Sequence, residues 1–163
     1  MRVKLTLKTS TDESVRLLSA VLQEQWRKVG VDLELKPMEL ATFFSDLTRG
    51  SFQLATLRWV GGNNDPDLFF GYVFSSKKFP PAGANRGHYH NERLDGLLDQ
   101  AQSQMDMENR RTLFSDIQKI VAEDVPYVSL WYRDNVCVPR DRISNIELTP
   151  SGDYDFLLNI QAK

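Results

Sequence analysis

Two different spacings of apolar residues take turns along the first third of the chain, and together they restrict it to layered α/β folds. Val3, Leu5 and Leu7 alternate with Lys4, Thr6 and Lys8, the two-residue period of a half-exposed strand. Val15, Leu18, Leu22, Trp26 and Val29 then recur at steps of three and four, which makes one apolar stripe on a helix. Ser10 and Glu13 stand at capping-box spacing before that helix, and Gly30 is placed to stop it. Val31, Leu33 and Leu35 alternate with Asp32, Glu34 and Lys36, a second strand closed by Pro37. Leu40, Phe43, Phe44 and Leu47 form a short second helix that ends at Gly50. Phe52 to Val60 reads as a third strand, apolar on both faces and so expected at the centre of a sheet. Strand, helix, strand, helix, strand implies helices laid on a sheet. Parallel neighbours joined by right-handed crossovers are the default for such a unit. The pattern does not fix the strand order.

After Val60 the character changes. Gly61-Gly62-Asn63-Asn64-Asp65-Pro66-Asp67 is a concentrated turn signal. Leu68 to Phe74 suits a short helix. Ser75 to Gly87 is a polar loop with Pro80, Pro81, Gly83 and Gly87, long enough to suggest a role beyond connection. Asn91 is expected to cap a helix carrying Leu94, Leu97, Leu98, Ala101 and Met105. Asp106 is expected to cap another, with Leu113, Ile117, Ile120 and Val121 inward and Glu108, Asn109, Arg110 and Arg111 on a solvated face. Tyr127 to Tyr132 and Asn135 to Val138 read as strands around an Arg133-Asp134 turn. Trp26 and Trp131 are expected in the core. The tail has short apolar runs without a strong period.

The length of 163 residues fits one domain with a real core, and the net charge of -2 supplies no field to gather nucleic acid. The basic residues are scattered, so no nucleic-acid partner is expected. The single cysteine, Cys137, lies in Val136-Cys137-Val138 and is expected to be a buried, inert thiol. No stretch is apolar and long enough to span a bilayer. The chain opens inside a strand with no signal peptide before it, which reads as a piece of a longer protein. No Gly-x-Ser-x-Gly elbow, phosphate-cradling glycine loop or zinc-protease helix motif is present. The expectation is a binding protein rather than an enzyme, with no cofactor.

The turn after Trp59 is the leading candidate for a site. It follows the third strand, and open α/β sheets bind ligands beyond their strand ends. Gly61 and Gly62 allow close approach to the backbone. Asn63, Asn64 and Asp65 offer donors and acceptors, and Trp59 offers a flat apolar wall. The same residues also suit a self-satisfied tight turn. His88 and His90 are the only histidines; on an extended segment they would point to one side, but a pair falls short of the usual ligand count for a metal.

The segment Leu57-Arg58-Trp59-Val60-Gly61-Gly62-Asn63-Asn64-Asp65-Pro66-Asp67-Leu68-Phe69-Phe70 resembles the ligand loop of family 5 extracellular solute-binding proteins, the peptide- and nickel-type receptors of bacterial ABC importers. The resemblance continues through Asn85, Tyr89-His90-Asn91, Leu94-Asp95-Gly96-Leu97-Leu98, Arg110 to Ile120 and Glu123-Asp124-Val125-Pro126. It implies an α/β lobe of the type II periplasmic-binding-protein fold, three-layer-like, with a mixed sheet flanked by helices. It implies that residues 1–163 are the C-terminal lobe of a two-lobed monomer, with the tail 141–163 returning toward the other lobe. It further implies that the lobes close by hinge motion on an organic solute or oligopeptide, at the periplasmic or extracellular face of the membrane, and dock on ABC permease subunits. Trp59, Gly61, Gly62, Asn63, Asn64 and Asp65 would then contact the solute, with Asn85 and Arg86 from a facing loop. Peptide-binding relatives carry an aspartate three residues after the tryptophan; here that position is Gly62, so the usual partner of a peptide ammonium is absent. Two other functions fit the same residues: the ligand-sensing domain of a transcription regulator, and a metal or metallophore receptor using His88 and His90.

Overall fold

The structure, a computed structural model, describes residues 3–59 and 65–162. It divides into two compact units, one of Met1–Arg58 with Gly71–Gly96 and one of Trp59–Phe70 with Leu97–Lys163.

The first unit opens with β1 (Val3–Ser10), α1 (Glu13–Lys28), β2 (Val31–Met38), α2 (Leu40–Thr48) and the short β3 (Leu54–Ala55). The three strands form a parallel sheet in the order β2-β1-β3, with Val3 opposite Val31 and Ser10 opposite Met38. The period-two pattern sets the faces: Leu7 and Leu33 are buried, while their neighbours Asp32 and Glu34 are exposed. Helix α1 packs on β1 and β2, and α2 on β1. The buried apolar residues of this unit are completed by Phe43, Leu47, Val73, Phe74, Ala84 and Leu94. A polar tie crosses from the central strand to α2. Lys8 Nζ donates to Asp46 Oδ2 at 2.6 Å and also to the Ser51 carbonyl. Arg49 Nη2 donates to Asp46 Oδ1 at 2.6 Å.

Helices α3 (Pro66–Phe74) and α4 (Glu92–Ser103) are each divided between the units, and α5 (Met107–Asp124) lies wholly in the second. Leu98, Ala101, Phe114, Ile117 and Ile120 are the buried apolar residues there. Asp106 caps α5 as expected, accepting from the Asn109 amide at 2.8 Å. A two-residue antiparallel pair joins β4 (Ile143–Ser144) to β5 (Gln161–Ala162). Among the described residues no helix is long and apolar enough to cross a membrane.

Several expectations need correction. The cap of α1 is Asp12, whose carboxylate accepts from the Val15 amide at 3.1 Å; Ser10 still belongs to β1. An aspartate is as good a cap as serine, and it stands closer to the helix. The third strand is neither long nor central. Only Leu54 and Ala55 pair with β1, and the Thr6 amide is met by the Gln53 side chain at 2.8 Å in place of a strand carbonyl. Tyr127–Tyr132 and Asn135–Val138 form no strands, because no ladder partner lies beside them among the described residues. Trp131 is therefore exposed instead of core, and Cys137 is an exposed thiol instead of a buried one.

Candidate functional site

Val60, Gly61, Gly62, Asn63 and Asn64 lie outside the described residues, so the structure places the two ends of the candidate loop. At the first end, the Trp59 side chain is 46% exposed, and its ring meets Phe69 edge-on at 5.3 Å between centroids. Phe69 in turn meets Phe70 edge-on, and Phe70 lies 6.2 Å from Phe114 of α5. An exposed indole backed by a chain of rings is a rigid apolar surface, because each ring is held by the one behind it.

At the second end, Asp65 starts α3. Its Oδ1 accepts from the Asp67 amide at 2.9 Å, and Pro66 occupies the first helical position, where a missing N–H costs nothing. The same oxygen accepts from Arg110 Nη2 at 2.8 Å. The Arg110 hydrogen bond, followed by the Asp67 amide, holds the Asp65 carboxyl below its ordinary range. Asp65 therefore anchors the loop end through this oxygen. Arg110 was expected on a solvated face, yet its side chain is 20% exposed, and its guanidinium stands 5.1 Å from the Phe114 ring while Nε donates to the Ala101 carbonyl. The sequence signal was Phe114, four residues on, which puts ring and guanidinium on one helix face.

Asn85 and Arg86 belong to the first unit, in the loop between Phe74 and α4. Asn85 is fully buried. Its amide nitrogen donates to the carbonyls of Phe74, Ser75 and Tyr89, and its oxygen accepts from the Tyr89 amide. The side chain is thus an internal brace, and the expected solute contact does not belong to it. Gly83 allows the same loop to close: a Cβ there would stand 2.5 Å from the Lys78 side chain and 2.6 Å from its carbonyl. Ser76 ties the loop to α4 through two hydrogen bonds to Asp95, at 2.9 and 2.6 Å. Arg86 is half-buried, with its guanidinium 5.7 Å from the Phe44 ring centre.

His88 departs from the extended geometry assumed for a His88–His90 pair. Its φ is 51°, and its ring stacks on Phe79 at 4.7 Å. Alternation therefore does not bring the two imidazoles to one side. Among the described residues no group of three or more His, Cys, Asp or Glu side chains gathers as metal ligands do.

Residues 2–81 match the family model described as bacterial extracellular solute-binding proteins, family 5 Middle. The oligopeptide-binding protein OppA of Bacillus subtilis is 25% identical over 154 residues, aligned along 94% of this chain. These matches support a fragment of a family 5 solute-binding protein. The nickel-binding protein NikA of Staphylococcus aureus is 26% identical over 138 residues, or 84% of the chain. Among solved structures, the oligopeptide-binding protein AppA of Bacillus subtilis in complex with a nonapeptide superposes with a TM-score of 0.79 over 98% of the chain, at 23% identity. That likeness shows the fold of the family 5 periplasmic binding proteins. The chain spans 28% of OppA, 27% of NikA and 32% of AppA.

Proposed function

We propose that this chain is one lobe, residues 1–163, of a family 5 receptor that takes up a peptide-like organic solute for an ABC importer. The observation that carries the reading is the exposed Trp59 ring, braced by Phe69 at the mouth of a loop whose far end is pinned by Asp65 and Arg110. Rigid ends and a glycine-rich middle suit a loop that offers backbone groups to a guest. Gly61, Gly62, Asn63 and Asn64 are the contacts assigned to that middle. With Gly62 in place of an acidic residue, the loop does not select for an ammonium group at that position.

The receptor works outside the cytoplasmic membrane as a monomer, with no catalytic step, and its closed form docks on permease subunits. Its tail, 141–163, returns toward the second lobe. The names of the relatives support this reading, since OppA and AppA carry oligopeptide binding in theirs. The test is equilibrium dialysis of the full-length protein against a random tripeptide pool, with retained peptides measured by mass spectrometry. Trp59→Ala should lower retention by about tenfold or more, in line with loss of a stacked aromatic anchor. Unchanged retention would remove Trp59 from the site.

A further inference from the structure

The rings behind Trp59 and the ion pair at Asp65 meet on one face of α5. Phe114 ends the row of rings that begins at Trp59 and passes through Phe69 and Phe70. Arg110, one helical turn earlier, stands over the same Phe114 ring and reaches Asp65 at 2.8 Å. Asp65 directly precedes α3, and Phe69, the ring that meets the indole, follows it by one helical turn. Two layers therefore join the start of α3 to α5: an ionic one at Asp65 and Arg110, and an aromatic one at Phe70 and Phe114. All of these residues belong to the second unit.

The Arg110 guanidinium is used in three directions. Nη2 donates to Asp65, Nε donates to the carbonyl of the buried Ala101 on α4 at 3.3 Å, and the group covers the Phe114 ring. A planar fork serves such divergent contacts in a way that a point charge does not. The Arg110 side chain is 20% exposed and Asp65 33%, so solvent and salt screen the pair less than a surface pair. With the guanidinium held inward, its effect on a solute passes through what it fixes, the start of α3. That stretch carries Phe69, one of the residues on the inner side of an indole that is 46% exposed. A ring in that position keeps its orientation only as well as its support does.

We infer that Arg110 is a positioning residue for solute binding: it holds the start of α3 so that Phe69 keeps the Trp59 ring in its binding orientation. The inference deepens the receptor reading at Trp59 and rests on it. The test uses the full-length protein, with retention of a random tripeptide pool in equilibrium dialysis and fluorine NMR of protein carrying fluorinated tryptophan. The Trp59 resonance is the one that disappears in Trp59→Phe, and the Trp26 resonance, from α1 of the first unit, is assigned in the same way and reports on the general fold. Arg110→Met keeps a stem on Phe114 and removes the guanidinium. It should lower retention about fivefold and move the Trp59 resonance while the Trp26 resonance stays in place. Arg110→Lys keeps the charge near Asp65 and loses the fork, so it should lower retention only about twofold, again with the Trp59 resonance moved. Should Arg110→Met fail to fold, Arg110→Lys decides alone by the same two readings. Unchanged retention overturns the inference and leaves the receptor reading standing. So does a loss of retention with the Trp59 resonance unmoved, because Arg110 then acts by another route. Movement of the Trp26 resonance together with that of Trp59 assigns Arg110 to the general fold and overturns it too. Retention of no peptide by the unaltered protein removes the peptide-like receptor reading, and the inference falls with it.

Discussion

Asn85 concentrates much structure in one side chain, since it serves three carbonyls and one amide across the turn from Phe74 to Tyr89. Replacing it with alanine strands those backbone groups in a site with no access to water. Each buried polar group left unpaired costs about 1–3 kcal/mol. Asn85→Ala should therefore lower the unfolding free energy by about 2–4 kcal/mol, which urea denaturation followed by tryptophan fluorescence measures. Asn85→Asp should be no milder, because it replaces a donor with a charged acceptor facing three carbonyl oxygens. If Asn85→Ala unfolds at the same midpoint, the brace is not structural. Its sequence signal was real but ambiguous: an asparagine in a long polar loop suits a ligand or a turn equally, and only burial separates the two.

The tie between β1 and α2 shows what joins elements that apolar pattern alone leaves independent. Asp46 is a buried carboxylate, and the Lys8 hydrogen bond holds it below its ordinary range against the opposing effect of burial, with Arg49 adding to the pull. Because the folded-state value is depressed, this stabilisation is present above the unfolded value of about 3.9 and is lost as pH falls through the native one. The thermal midpoint should therefore fall between about pH 5 and pH 3, and fall less in Asp46→Asn than in the parent. Parallel acid profiles for the two proteins would show that the tie contributes nothing to pH dependence. Much at this scale was legible from the chain: α1, α2, α4 and α5 follow from stripes at helical spacing, and β1 and β2 from alternation. What was not legible shares one physical cause, since strand formation needs a neighbour that local sequence does not encode. Phe52 to Trp59 and Tyr127 to Val138 both carry strand-forming residues. The first pairs only at Leu54 and Ala55, where β1 offers free backbone groups, and the second does not pair among the described residues. The Arg110 ion pair escaped for a similar reason, since its partner Asp65 is remote in sequence; only the contact with Phe114, four residues on, had a local signal.

For the whole molecule, what matters is how much of a solute's surface this chain can cover. Binding pockets for small solutes cover about 70–90% of the guest's surface. Two surface depressions among the described residues are open dishes on the helices of the second unit. One is lined by Arg111, Ser115, Gln118, Lys119 and Ala122, the other by Gln100, Ser103, Gln104, Asn109, Thr112 and Leu113. Neither includes Trp59, so neither is the site the loop chemistry points to. The chain spans 28% of OppA, and under the lobe proposal the remaining wall belongs to the other part of the receptor. Val128, Trp131, Tyr132, Val136 and Val138, all more than half exposed, are apolar surface that the same reading assigns to that contact. A solute on this chain alone would keep most of its hydration and gain only one side of its contacts. Calorimetry with a tripeptide that the full-length protein retains should therefore give a dissociation constant at least about 100-fold weaker for the 163-residue chain, about 2.7 kcal/mol of lost binding energy. Equal affinity would mean that these residues enclose the solute unaided, and the two-lobed closure would have to be abandoned.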